Sequence, residues 1–597
     1  MAPKKNVPIN YTSREFSTIK QDLVDYAKRY YPDTFQDFNE AGFGALMLDT
    51  VAYVGDILSF YVDYQANESF IDTASEFENI LSIGKQTGYK HQQNPSSKGI
   101  NTFFIIVPAN AAGTAPDTRY LPILKKGSKL SSASGAAFVL EEDVNFVFGD
   151  TVVARTDSTT GQPTHYAIKN YGAVSSGELE STQITVGEFK KFRKEKVTDS
   201  NITEIVSVVD SNGHEFYEVD YLTQNTILRS TTNRDPDTRN TAAEIIKPLV
   251  VPRRFVAERT SDGMTLQFGS GAEESDSNER ILDPSNVAMQ LHAKKYISDT
   301  QMDPTRLLDS DSMGVAPSNT VLTVTYRKNT KKDSNVGARL LNKIPKPIME
   351  FVDIAELSST KVSEIIAGIE TVNESPITGY SNDTDIEELR IRVMNSFSAQ
   401  RRAVTLRDYE TMTYAMPYKF GCLKRARAIK NPNPRRGNVS IAVVAEGTDG
   451  TLEAANSVLK DNLGVWLDKG RMMTDAVDIV DAKIINIGVD FSVVTDLTKD
   501  SSVVLQSCID ALATKFETAP DIGEYLYITD IYKELKDVEG VVDVVDVSVF
   551  TKSGANYASV AFEVEDNLTD DGRAVMIPRN AIYEIKFPNI DIKGAVK

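Results

Sequence analysis

The sequence predicts an α+β multidomain chain, with a helical N-terminal region, β-rich middle domains and small α+β domains towards the C-terminus. Three observations predict it. Apolar residues recur at helical spacing as far as Gly88, they fall into short bursts broken by Gly, Ser, Asn, Asp and Pro beyond Pro95, and strand and helix patterns alternate after Asp383. At 597 residues the chain exceeds one typical core and suits about three to five domains. We divide it into residues 1–95 (helical), 96–290 (β-rich), 291–375 (a second β-rich or connecting domain), 376–480 (a helical pair and a β-α-β module) and 481–597 (α+β).

The first helix is announced by a capping box, Thr12 with Glu15, after which Phe16, Ile19, Leu23, Tyr26 and Tyr30 share a face until Pro32. A second runs from Phe43 to Tyr64. Its apolar positions Leu46, Met47, Val51, Val54, Ile57, Leu58, Tyr61 and Tyr64 cover well over half the helical circumference, so it must be covered on several sides. The cover is either a partner helix or the β-rich domain. A third helix, Glu76 to Gln86, carries Phe77, Ile80, Leu81 and Ile83 and stops at Gly88.

Strand bursts follow at Asn101 to Val107, Ala137 to Leu140, Glu204 to Val209 and Val321 to Tyr326, with Asp276 to Asn278 and Lys331 to Asn335 as exposed loops. Acidic residues Asp383, Asp385, Glu387 and Glu388 open a helix that Arg401 and Arg402 close, and Thr405 with Asp408 caps the next. Val439 to Ala445, the stripe Leu452 to Trp466 and the alternating Val489, Phe491 and Val493 read as β-α-β. A helix follows through Leu505, Ile509, Leu512 and Phe516, another is capped by Thr529, and Val545, Val547 and Val549 are expected to pair with Val560, Phe562 and Val564 across Gly554.

Composition narrows the function. An apolar fraction of 41%, a charged fraction of 25%, 25 Phe and 24 Tyr describe a folded protein. No apolar run approaches the about 18 to 20 residues of a membrane span, so no membrane crossing is expected, and Met1 to Asn10 lacks the apolar core of a signal peptide. Two cysteines, Cys422 and Cys508, exclude a disulfide framework. A formal charge of −19 opposes nucleic-acid binding.

Two stretches resemble a known family. Gly42 to Tyr53, followed by Tyr64-Gln65-Ala66-Asn67-Glu68, Asp72-Thr73-Ala74 and Gly88-Tyr89, resembles the N-terminal signature of phage baseplate wedge proteins. Glu387-Glu388-Leu389-Arg390-Ile391-Arg392 and Arg402 to Glu410 resemble baseplate J-like proteins, closest to the large wedge subunit of T-even-type myophages. The resemblance implies a structural subunit of a contractile tail baseplate, located in the virion and assembled in the host cytoplasm. It implies an N-terminal region that bundles with other wedge proteins, a C-terminal module that meets a second copy of itself, indirect contact with the tail hub, and rearrangement on contraction.

Chemistry-bearing motifs are sparse. His91, His165, His214 and His292 are scattered without metal-ligand spacing, so no metal is expected. No phosphate-binding glycine loop stands before a helix, no Gly-x-Ser-x-Gly elbow exists, and Cys422 has no His near it in sequence. Neither catalysis nor a cofactor is expected. Candidate partner-interface residues are Leu46, Val54, Leu58 and Tyr61 on the second helix and Lys424, Arg425, Arg427, Arg435 and Arg436 in a basic run without Asp or Glu. That run either docks an acidic partner surface or is a solvated hairpin. A receptor-binding or glycan-cleaving tail protein is the alternative that the β-rich middle allows; such proteins display repeats or a carboxylate-lined aromatic groove, and neither is visible.

Overall fold

A computed structural model describes residues 15–31, 42–92, 94–132, 135–199, 201–232, 244–260, 263–272, 288–290, 300–302, 313–329, 334–381, 385–431, 439–496, 498–554 and 556–597. The helices used below, in chain order, are α1 (Phe16–Tyr30), α2 (Phe43–Glu68), α3 (Phe77–Gln86), α4 (Ser359–Ala367), α5 (Ile386–Ala399), α6 (Leu406–Tyr414), α7 (Ser457–Asp468), α8 (Ser501–Glu517) and α9 (Ile528–Asp537). The chain forms two compact units: residues 1–91 with 383–402, and residues 92–382 with 403–597.

The first unit is helical. Thr12 and Pro32 lie outside the described residues, and Glu15 stands at the start of α1 without a side-chain cap bond. α3 ends where its sequence dictates: Gly88 takes φ 87°, and the Tyr89 N–H reaches back to the Gly84 carbonyl at 2.8 Å, closing a Schellman-type turn. The small core joins distant sequence. Ala74 and Ile80 pack with Leu389 and Val393 of α5, and a Cβ on Gly84 would come 3.1 Å from Val393 Cγ2, so this glycine permits the close approach of α3 and α5. Asp385 caps α5, which ends in two consecutive left-handed residues, Gln400 and Arg401.

In the second unit the sheets nest. Lys98–Pro108 and Pro163–Ser176 pair antiparallel from Lys98↔Ser175 to Pro108↔His165 at the centre of a seven-stranded sheet that also takes in Lys343–Lys346 and Glu370–Val372. Phe103, Ile105, Phe138, Ile168 and Val174 fill its core, which Val362 and Ile365 of α4 help to close. A second seven-stranded sheet, built from strands between Glu178 and Lys328, is entered through Gly177. There φ is 104°, and a Cβ would stand 2.6 Å from the Lys328 carbonyl. Asn335 ties segments together. Its Oδ1 accepts from Ser97 Oγ (2.6 Å) and the Tyr380 N–H (3.0 Å), and its Nδ2 donates to the Tyr380 (2.9 Å) and Glu446 (2.8 Å) carbonyls.

The remaining modules correct two expectations. Val439–Glu446, buried throughout, crosses over through α7 to the parallel strand Val477–Asp481, so the β-α-β unit closes there. Val489, Phe491 and Val493 instead lie on Lys483–Thr495, the central strand of the next sheet. That strand also takes the expected partner of residues 560–564: Val541–Thr551 pairs with it from Ile487↔Thr551 to Thr495↔Val541. The physical reason is area, since a 13-residue apolar strand offers a longer ladder than a short hairpin. Phe562 and Val564 still enter the core, held where Thr551 Oγ1 donates to the Phe562 carbonyl at 2.7 Å. The capping box on α6 forms as its sequence predicts, with Asp408 N–H to Thr405 Oγ1 at 3.3 Å and Thr405 N–H to Asp408 Oδ2 at 2.9 Å.

Candidate partner interface

α2 is 26 residues, about 39 Å, long. One stripe is small: Ala45 and Ala52 are buried, and a Cβ on Gly55 would lie 3.3 Å from Ile19 Cδ1. α1 packs there, with Lys20 Nζ 2.7 Å from Asp49. Asp49, Asp56 and Asp63, seven residues apart, line one border of that stripe. The rest of the circumference is apolar and open. At heptad spacing it carries Leu46, Tyr53 and Phe60 in one column, Met47, Val54 and Tyr61 in the next, and Val51 with Leu58 in a third. The predicted positions Leu46, Val54, Leu58 and Tyr61 are 61, 49, 58 and 62% exposed.

Sequence reading found no apolar run long enough for a membrane, yet α2 passes that test by length and composition. Its best 18-residue window has a mean hydropathy of 1.4 and is 11% buried. The acidic residues break the run without lowering the average enough.

What fixes the end of α2 is a carboxylate that sequence reasoning quoted but gave no role. Buried Glu68 accepts from the Ser75 N–H (2.9 Å) and hydroxyl (2.6 Å), the Glu76 N–H (3.2 Å) and Asn79 Nδ2 (2.8 Å), and so ties the end of α2 to the residues that open α3. Burial pushes its pKa up, but the hydrogen bonds from Ser75, Asn79 and Glu76 together outweigh it and hold the pKa at about 2. Arg390, also buried, donates to the Ala74 carbonyl and pairs with Glu387 at 2.5 Å. The two sequence signatures thus meet around residues 68–75. The signal was present in the unusual conjunction of Asn67-Glu68 with Asp72-Thr73-Ala74 in a loop.

The structure employs the described basic candidates internally. Lys424 pairs with Glu446 at 2.8 Å, both nearly buried. Arg425 donates to the Ala519 carbonyl (3.0 Å) and lies 3.5 Å from Asp521; Arg427 donates to the Ile522 carbonyl. These arginines tie the strand Arg425–Lys430 to the segment after α8. Arg435 and Arg436 lie outside the described residues. The Lys424–Glu446 pair also stands on the wall of a cleft of about 620 Å³ that the Gly447–Thr451 turn and Glu584 help to line. Burial raises the Glu584 carboxyl above its ordinary pKa, although it accepts the Leu452 N–H at 2.6 Å. Among the described residues no His, Cys, Asp and Glu side chains are grouped to hold a metal ion.

Two solved assemblies align over much of the chain, both distantly. A chain of the anti-feeding prophage baseplate is 8% identical, with 96% of this chain and 99% of that one covered at a TM-score of 0.29. A chain of the type VI secretion system TssK-TssF-TssG baseplate subcomplex is 8% identical, with 73% and 96% covered at 0.23. No curated protein matches the sequence. Residues 15–86, which hold α1, α2 and α3, match the family model of the bacteriophage baseplate protein N-terminal domain, and this match supports a structural role in a baseplate.

Proposed function

We propose that this chain is a structural subunit of a contractile phage tail baseplate wedge, working through contacts between subunits and carrying out no catalysis. One observation carries the reading: the segment that matches the baseplate N-terminal domain contains a helix whose apolar arc is left open by its own unit. Its partners are other wedge proteins, with a second copy meeting the C-terminal module and the tail hub reached indirectly. The wedges form the ring around the hub, in a virion assembled in the host cytoplasm, and shifts of packed interfaces accompany contraction.

The size of the arc sets what a partner must do. Burying Leu46, Met47, Val54 and Leu58 is worth roughly 6 to 12 kcal/mol gross, at about 1.5 to 3 kcal/mol each. Association costs about 4 to 15 kcal/mol. Those four side chains alone therefore leave the balance near zero, and Phe43, Val51, Tyr53 and Phe60 must be covered too. An occupant that reaches all these columns is itself helical and runs along most of α2.

The experiment is light scattering of the purified chain, alone and mixed at micromolar concentration with each baseplate protein encoded beside it. A complex that Leu58→Asp dissolves is expected. A chain that ignores every candidate overturns the proposal, and so does preferential binding of α2 to lipid vesicles.

A further inference from the structure

The first seven-stranded sheet treats its edges unequally. Lys343–Lys346, at one end, reads Lys-Ile-Pro-Lys, and Lys346 stands opposite Lys129; charge and a missing N–H make this edge a poor template for another strand. Glu370–Val372, at the other, is three residues long. Asp150–Thr156 is different. It pairs with Pro163–Ser176 on one side, has no second strand partner among the described residues, contains neither Lys nor Pro, and exposes Val152 and Val153 beside exposed Val147 and Phe148.

The register on its paired side shows how the side chains alternate. Asp150 lies opposite Lys169, Val152 opposite Ala167 and, after a shift that leaves Ala154 out of the ladder, Arg155 opposite His165. Asp150, Val152 and Arg155 therefore share one face, with the two charges disposed symmetrically about the valine. Neither charge has an ion-pair partner within 4 Å among the described residues.

We propose that Asp150–Thr156 is a self-pairing edge, which joins antiparallel to the same strand of a second copy about a two-fold axis through Val152. A two-fold axis perpendicular to the sheet keeps each face on its own side. It brings Asp150 of each copy opposite Arg155 of the other, Val152 opposite Val152, and Thr151 opposite Val153. The strand is complementary to itself in charge, which the all-acidic Val541–Thr551 edge, with Asp543 and Asp546, is not. This contact does not depend on the baseplate reading. The ladder is short, so the dimer of the free chain is weak, micromolar or weaker.

The test is sedimentation equilibrium of the full chain carrying Leu58→Asp, which removes association through α2 and leaves a C-terminal self-contact as the alternative that the edge-strand variants would not move. A monomer–dimer equilibrium is expected. Val152→Lys, Asp150→Arg and Arg155→Asp should each raise the dimer dissociation constant about tenfold or more, because each sets like charges against each other on the symmetry axis or twice beside it. The exchange Asp150→Arg with Arg155→Asp should restore it, since the strand is then self-complementary again. All these side chains are exposed, so thermal melting serves as the control for folding. A chain monomeric at every concentration, a dimer indifferent to Val152→Lys, or a double exchange no better than its single parents overturns the proposal.

Discussion

At the scale of single residues, Glu68 and Arg254 do the most with the least exposure. The Glu68 carboxyl is held at about 2, below its ordinary value near 4.5. A lowered carboxylate pKa stabilises the fold fully above the unfolded value, and that stability drains away as pH falls from about 4.5 towards 2. Glu68→Gln should remove this acid-linked component from the first unit. It should cost about 1 to 3 kcal/mol at neutral pH and progressively less as pH falls through about 4.5 towards 2, read by chemical denaturation at neutral and at acid pH. Arg254 is fully buried, its pKa pulled down to about 10 by burial, and it donates to the Leu222 (2.6 Å) and Val251 (2.9 Å) carbonyls. Arg254→Met strands both oxygens and should lower stability by about 2 kcal/mol, seen as a reduced urea midpoint. Arg254 is not legible in sequence, where it sits unremarkably beside Arg253, and for Glu68, one acidic residue of 84, the Asn67-Glu68 and Asp72-Thr73-Ala74 stretch marks the place without giving the role. What gives them their roles is the loop or strand that folds over them, and the partners it supplies are fixed only once the chain has folded.

Among elements, α2 offers the sharpest contrast. Its covered stripe and its open arc should respond in opposite ways to substitution. Ala52→Leu forces a larger side chain into the contact with α1 and should cost about 1 to 3 kcal/mol. Leu46→Asp and Leu58→Asp, on the open arc, should move stability by no more than about 0.5 kcal/mol and abolish partner binding in light scattering. Helices were the most legible elements because a 3.6-residue period is written locally: α1, α2 and α3 stand where apolar spacing puts them, and α6 where its capping box does. That α2 would be left open was legible only as a choice between a partner and the β-rich domain. Strand partners were less legible. The pairing of Val541–Thr551 was misread because alternation tells which face is buried and never which strand lies alongside.

At the scale of the whole molecule, connectivity is what sequence conceals. The second seven-stranded sheet lies, in sequence, inside the first, and α5 belongs to the compact unit of helices encoded three hundred positions earlier. Composition changes along the chain reported helical, β-rich and mixed stretches correctly, but contacts between remote segments leave no compositional trace. Asn335 is where such a contact can be tested. Asn335→Ala removes bonds to Ser97, Tyr380 and Glu446 at once and should cost about 2 to 4 kcal/mol, with the loss confined to the second unit and readable by hydrogen exchange. The basic candidates teach the same lesson. Lys424, Arg425 and Arg427 read as a docking surface or a solvated hairpin because their internal partners, Glu446, Asp521 and two carbonyls, are up to 96 positions away.

The Arg390 bond to Ala74 spans 316 positions, and this carries a consequence for biosynthesis. At about 5 to 20 residues per second, a ribosome needs roughly 16 to 63 s to make α5 after the loop that receives it has emerged. Through that interval the nascent chain displays α2 with its arc uncovered and Ile80 without Leu389 and Val393 above it. The helices are therefore on offer to chaperones, or to a co-translated neighbour, well before their own unit can be finished. Order of synthesis then favours a partner that arrives early, and transposing the α5 segment to follow α3 directly would shorten the wait.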